Sequence, residues 1–264
     1  MRIPVRFAAN VAWLFTELPW PDRFAAARAA GFSAVEFPWP EDPAKTAQAV
    51  AAANVRVAML NMPAGNLAAG ERGWPNDPGR IEEWRAAFSQ SLDLAASVSC
   101  PVINVLAGNL VNEVTRDRQW TCLQDNLKWA LPIARQAGVT LVTELLNRQE
   151  NPRYLLTTLD DAELVMNRIG RLGWRLQLDT YHLGRTESGV AAALRRAGPW
   201  VGHLQVADLP GRHQPGSGII DWRAVGGALR DIGYEGAIGL EYAPAGGTAE
   251  SLGWIERISL VRAS

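Results

Sequence analysis

Cysteine is scarce in this chain: Cys100 and Cys122 are the only two in 264 residues, and neither has a metal-binding or redox spacing. That excludes a disulfide scaffold and predicts a reducing, cytoplasmic setting. Histidine is limited to His182, His203 and His213, too few for a cluster of several zinc ions. Charge of either sign is not in excess, since 26 basic and 27 acidic residues leave a net charge of −1. Nucleic acid and anionic membrane surfaces are therefore excluded as mainly electrostatic partners. No apolar run approaches the roughly 18 residues of a spanning helix. The apolar stretch from Val5 to Phe15 is broken by Asn10, and no small-residue cleavage site follows it. These absences predict a soluble, unprocessed globular protein with no membrane partner.

What the chain has is length and alternation. A length of 264 residues with 48% hydrophobic side chains is typical of one α/β barrel with a large core. Short aliphatic runs alternate with Ala-rich amphipathic stretches over the whole chain. Eight strand cores can be read: Arg6 to Ala9, Ala34 to Phe37, Val57 to Leu60, Val102 to Leu106, Val139 to Thr143, Arg175 to Leu178, Val201 to Val206 and Ala237 to Leu240. Helix-like segments include Asp22 to Ala30, Pro43 to Ala53, Arg80 to Ser97, Asp117 to Ala137 and Leu159 to Ile169. Gly31, Gly138, Gly170 and Gly233 fall where helices should end. The first strand runs into Asn10-Val11-Ala12-Trp13, not into the Gly-rich turn of a dinucleotide-binding open sheet. A single (β/α)8 TIM barrel over residues 1–264 is the predicted fold, with an open sheet as the alternative. The eleven tryptophans suit core packing and are equally compatible with a homo-oligomeric interface.

Four successive strands in the second half end on an oxygen-bearing polar residue: Glu144, Asp179, Gln205 and Glu241. In a parallel barrel such residues converge at the rim built by the βα-loops. A lone strand-end carboxylate usually caps a helix or meets an arginine. Four in register point instead to a shared hard divalent cation, Mg²⁺ or Mn²⁺. The Pro215-Gly216-Ser217-Gly218 segment reads as a tight turn, not a phosphate cradle.

Further motifs resemble a known family. Phe7-Ala8-Ala9-Asn10, Val35-Glu36-Phe37, Met62-Pro63-Ala64-Gly65, the Ala68-Ala69-Gly70-Glu71-Arg72-Gly73 loop, Asp179-Thr180-Tyr181-His182, His203-Leu204-Gln205 and Gly239-Leu240-Glu241-Tyr242 together resemble hydroxypyruvate isomerases, within the xylose isomerase-like TIM-barrel group. The resemblance implies Glu144, Asp179, Gln205 and Glu241 as metal ligands, with Glu144 and Glu241 as the acid/base pair. It departs at Leu145, where many relatives have proline, and at Gln214 and Ile219, where close relatives have glutamates. Asn147-Arg148-Gln149-Glu150 is closer to the ketose epimerase branch, in which the glutamate contacts substrate.

The implied chemistry is movement of a carbonyl between adjacent carbons of a small keto acid, or of a ketose, through an enediolate. A divalent cation stabilises that species and a carboxylate moves the carbon-bound proton. A keto acid also needs a cation for its own carboxylate, and Arg72 and Arg212 are the candidates. His182, three residues after Asp179, could donate to a substrate oxygen, whereas His203 shares the strand face of Gln205 and reads as structural. The expected activity is therefore interconversion of hydroxypyruvate and tartronate semialdehyde or their four-carbon homologues. A ketose 3-epimerase and a non-catalytic sugar-acid-binding barrel are the alternatives.

Overall fold

The computed structural model describes residues 6–169, 173–258 and 260. Eight parallel strands close into a barrel in sequence order, with β8 paired back to β1. The strands are β1 (Phe7–Asn10), β2 (Ala34–Phe37), β3 (Arg56–Asn61), β4 (Val102–Asn104), β5 (Thr140–Glu144), β6 (Arg175–Asp179), β7 (Val201–Val206) and β8 (Ile238–Leu240). This is the (β/α)8 TIM barrel that the alternation predicts. All eight predicted strands are present, with β2 and β7 at the predicted bounds and the others shifted at an end by one or two residues.

Helices α1 (Trp20–Ala29), α2 (Pro43–Ala53), α3 (Ile81–Ser97), α4 (Arg116–Gln136) and α5 (Leu159–Ile169) follow the first five strands. Two short helices, α6 (Thr180–Thr186) and α7 (Val190–Ala197), follow β6, while α8 (Trp222–Asp231) and α9 (Thr248–Ser251) follow β7 and β8. Local chemistry sets several starts. The side chains of Asp42, Thr115 and Asp221 accept hydrogen bonds from the backbone amides of Lys45, Arg118 and Ala224. Gly31, Gly138 and Gly233 follow helix ends at positive φ, as expected there; Gly170 lies outside the described residues. The helices pack their apolar faces on the outside of the barrel, with Trp84, Phe88 and Trp129 in ring contact between α3 and α4.

The barrel interior positions the site. Residues two apart on a strand share a face, so Ala8 and Asn10, Ala34 and Glu36, Gln177 and Asp179, His203 and Gln205, and Gly239 and Glu241 point the same way. At the N-terminal end Ala8, Ala34 and Ala58 form a small apolar cluster of their own. Above it the interior turns polar. Glu36, Gln177, His203 and Gln205 are all buried there, where most barrels stack branched aliphatic side chains. Among the described residues no helix is long and apolar enough to cross a membrane.

Candidate active site

At the C-terminal rim the ends of the strands enclose a cavity of about 280 Å³, lined by Asn10, Trp13, Arg72, Glu144, Glu150, His182, Arg212 and Glu241 among others. That is below the roughly 300–1,000 Å³ of pockets for drug-sized ligands, so the cavity suits a small molecule. Five of the predicted site residues line it directly alongside Glu144. Asp179 and Gln205 lie fully buried beneath.

One guanidinium organises two of the carboxylates. Arg212 Nη2 lies 2.6 Å from Glu241 Oε1 and 3.1 Å from Asp179 Oδ2. Its Cζ atom sits 4.4 Å from the Trp13 ring centroid and 5.0 Å from that of Tyr181. Arg212 takes a φ of 55°, an uncommon backbone state for a side chain of this size, in the loop after β7. Asp208 holds that loop: its carboxylate accepts from the amides of Leu209, Gly216 and Ile220 and from Trp222 Nε1. The Gly216 amide is thus engaged, and the 215–218 segment is a tight turn. Gln214 accepts from the Ala245 amide and Ile219 is 79% exposed; neither lines the cavity.

Acceptors outnumber positive charges around this point. Glu144, Asp179 and Glu36 are buried and Glu241 is partly buried, and among the described residues Arg212 is the only guanidinium that pairs with any of the four. Burial, reinforced by the Asp179 charge, pushes the Glu144 carboxyl up to about 8. Burial likewise raises Asp179, and raises Glu241 well above the usual carboxylate range, against the opposing pull of Arg212. The buried oxygens Asn104 Oδ1 and Gln177 Oε1 have no hydrogen-bond partner, although the amide of Asn104 donates to Glu144 Oε2 at 3.2 Å. An acceptor-rich pocket with several carboxylate oxygens fits a hard divalent cation.

The predicted ligands gather unequally. Glu144, Asp179 and His182 each offer an atom within 4.8 Å of the others. Glu241 joins through Arg212 and through Gln205, whose Nε2 donates to Glu241 Oε2. The Gln205 oxygen accepts from Gln177 Nε2 at 2.7 Å. Asp179 also caps α6, its Oδ1 accepting from the Tyr181 amide.

His182 is poised as a donor. Its Nδ1 lies 2.7 Å from Asn147 Nδ2 and 3.3 Å from the Asn147 amide, both of which carry hydrogens. Nδ1 is then the acceptor, and the ring proton sits on Nε2, which faces Glu144 Oε1 at 4.0 Å. Burial first, then the charges of Arg212, Arg185 and Arg72, hold its pKa well below the ordinary value, so the ring is neutral. Glu150 accepts from the Tyr181 hydroxyl and from Asn147 Nδ2. These bonds outweigh its partial burial and keep its carboxyl below the usual range. Arg72 donates to Asn151 Oδ1 and to the carbonyls of Leu67 and Glu71, with no carboxylate among those partners.

Sequence reasoning missed the amides. Asn10, Asn61 and Asn104 end β1, β3 and β4 as Glu144 and Asp179 end β5 and β6, with Gln205 one residue before the end of β7 and Glu241 directly after β8, so the polar rim runs around nearly the whole barrel. It also read past Glu36, which sits between Val35 and Phe37 and looks like an outward-facing charge until its inward parity is known. His203 is structural as expected: its Nε2 lies 2.7 Å from Glu36 Oε2.

Comparison with known proteins agrees with this architecture. Residues 24–258 match the family model described as xylose isomerase-like TIM barrel. A Mus musculus protein named "Putative hydroxypyruvate isomerase" is 37% identical over 261 residues, 96% of this chain and 94% of that one. A 2-oxo-tetronate isomerase of Cupriavidus necator is 36% identical over 253 residues, 95% of this chain and 97% of that one. Among solved structures, one titled AP endonuclease, family 2, from Brucella melitensis superposes with a TM-score of 0.90 at 30% identity, covering 96% and 99% of the two chains.

Proposed function

This chain belongs to the xylose isomerase-like TIM-barrel family and is a hydroxypyruvate isomerase-like enzyme, and on that premise we propose that it interconverts a short 2-oxo acid and its aldehyde isomer with the help of a divalent cation. Hydroxypyruvate with tartronate semialdehyde, or the four-carbon homologues, are the substrates that the site suits best. The observation that carries this reading is the trio of electrically under-compensated carboxylates, with Glu144 and Glu241 on one small cavity and Asp179 buried beneath it, where the cavity also holds two arginines and a neutral histidine donor.

Glu144, Asp179, Gln205 and Glu241 would hold Mg²⁺ or Mn²⁺. When bound, such an ion withdraws electron density from adjacent carbonyl and hydroxyl oxygens and makes the carbon-bound proton more acidic. The remaining chemistry falls to the side chains. Glu241 or Glu144 removes the proton from the hydroxyl-bearing carbon and returns it to the neighbouring, former carbonyl carbon, while the other carboxylate serves the hydroxyl proton. A carboxyl group whose pKa is raised towards neutrality suits both directions of that transfer. His182 Nε2–H donates to a substrate oxygen, and Arg72 and Arg212 bind the substrate carboxylate. Cavity walls such as Leu106 and Leu146 limit water around the reacting carbons.

The Glu150 side chain on the cavity wall favours the second reading, a ketose 3-epimerase, in which it would contact a longer sugar. The experiment is a comparison of wild-type turnover on hydroxypyruvate, the four-carbon 2-oxo acid and neutral ketohexoses with Mg²⁺ or Mn²⁺, with abasic-site DNA as a control because of the Brucella likeness. Faster turnover of the keto acids is expected. A preference for a neutral ketohexose would replace the proposal with the epimerase reading, and absence of turnover on every sugar and acid would favour a binding barrel.

A further inference from the structure

Beneath the cavity lies a carboxylate that the proposed chemistry does not use. Glu36, on β2, is completely buried and accepts three hydrogen bonds: from Asn10 Nδ2 at 3.0 Å, Gln205 Nε2 at 2.7 Å and His203 Nε2 at 2.7 Å. The barrel is built around it. A Cβ at Gly239 on the neighbouring β8 would lie 2.2 Å from both Glu36 carboxylate oxygens, so only glycine leaves room for that group.

The two amides that Glu36 holds each have a second hydrogen, and both give it to the same atom. Asn10 Nδ2 is 2.8 Å from Glu241 Oε2, and Gln205 Nε2 donates to that oxygen as well. A carboxylate can only accept, so Glu36 fixes both amides with their nitrogens inward. Glu241 Oε2 is thereby clamped by two donors, and Oε1 is left as the oxygen that meets Arg212 Nη2 at the cavity. We infer that Glu36 is a positioning residue which, through Asn10 and Gln205, selects Oε1 of Glu241 as the oxygen that exchanges the carbon-bound proton. The inference rests on the reading of Glu241 as part of the acid/base pair.

Glu36→Leu is close in size and tests it. A leucine in the niche accepts no hydrogen bond, so neither amide is held with its nitrogen inward and Glu241 Oε2 loses its clamp. Misplacing a reacting group by about 1 Å can lower turnover by about 100-fold, so kcat is expected to fall about 10- to 100-fold with KM within about threefold. Because proton abstraction is the step disturbed, the isotope effect on a substrate deuterated at the reacting carbon should rise. A second arm needs no turnover. In metal-free wild type, the side-chain NH2 signals of Asn10 and Gln205 in ¹⁵N NMR should be slow to exchange, and Glu36→Leu should shift them and speed their exchange. Asn10→Ala removes one of the two donors with the niche intact, and should lower kcat by a smaller factor with the isotope effect again raised.

Unchanged kcat and unchanged amide signals in Glu36→Leu would overturn the inference. So would a loss of kcat that tracks a loss of folded protein while the isotope effect stays at the wild-type value. If wild type shows no isomerase activity, the proposed function fails, whereas the amide signals still report whether Glu36 holds the clamp.

Discussion

Replacing Glu144 by glutamine should make the metal-free protein more stable at pH 8, although it removes a carboxylate from the proposed active site. Burial and the Asp179 charge raise the Glu144 carboxyl from its ordinary 4.5 to about 8 in the folded chain. A raised carboxyl binds its proton more tightly when folded, so its stabilising contribution is complete below about pH 4.5 and is lost as pH climbs to about 8. At about 1.4 kcal/mol for each pH unit, that interval corresponds to several kcal/mol, about 5 at most. For a chain of this size each kcal/mol moves the melting temperature by roughly 2–4 °C, so a fall on the order of 10 °C is expected between pH 5 and pH 8. Asp179 and Glu241 are raised too and act in the same direction. The amide of Glu144→Gln stays neutral throughout, and its oxygen can keep the hydrogen bond from Asn104 Nδ2. The assay is thermal melting with a chelator across pH 5 to 8.5 for both proteins, repeated with Mn²⁺. Wild type should lose melting temperature with rising pH and regain it with Mn²⁺, and the variant should show a flatter profile and little response to the metal. A wild-type profile that stays level or rises from pH 5 to 8 without metal would refute the reasoning, as would a variant that melts below wild type at pH 8.

Glu241→Gln keeps the shape of the side chain but cannot take the proton; kcat should fall by at least about 100-fold, the usual lower range for a general base, with melting unchanged or raised. Near-normal turnover with unchanged melting in both this variant and Glu144→Gln would remove the acid/base assignment. Arg212→Ala and Arg72→Ala separate two kinds of arginine. Loss of a charge-assisted carboxylate contact of about 1.5–3 kcal/mol should raise KM for a keto acid by one to two orders of magnitude in either variant. Arg212→Ala should also lower kcat, since it leaves Asp179 and Glu241 without their shared guanidinium. Equal loss of activity on acidic and neutral substrates in Arg212→Ala, with a wild type that prefers the neutral one, would count against carboxylate binding.

The barrel was legible because its signals are local and repeated: eight aliphatic runs, Ala-rich amphipathic stretches and helix-ending glycines. Boundaries slipped where tertiary contacts decide them. The run from Val102 to Leu106 reads as one strand, yet β4 ends at Asn104; Val105 still donates to the Val142 carbonyl, and beyond it the Ala107 amide turns to the Tyr154 hydroxyl. The strand-end acids were readable because each follows an apolar run directly. Glu36 was not, since a lone charge inside a four-residue strand gives no hint of which face it takes. The bridging of Asp179 and Glu241 by Arg212 was also beyond sequence, because it depends on a left-handed residue in a loop that Asp208 gathers from four directions.

The choice of amides around these carboxylates has a physical logic. Arginine or lysine at positions 10, 104, 177 and 205 would hold the acids equally well but would neutralise them, drawing their pKa values down and cancelling the negative potential of the cavity. Asparagine and glutamine supply directed N–H donors with no net charge. The acids are therefore fixed in place while remaining strongly basic and attractive to a cation. The neutral state of His182 serves the same end, since an imidazolium 4.0 Å from Glu144 would compete for that carboxylate. Only Arg212 breaks the pattern, and its side chain reaches the acids from a loop, where it can pair with Asp179 and Glu241 and still face the cavity that a substrate carboxylate would enter. A barrel interior made of amides and acids is less stable than an aliphatic one, and that deficit is the expected companion of a site whose carboxylates must bind a cation and move a proton at neutral pH.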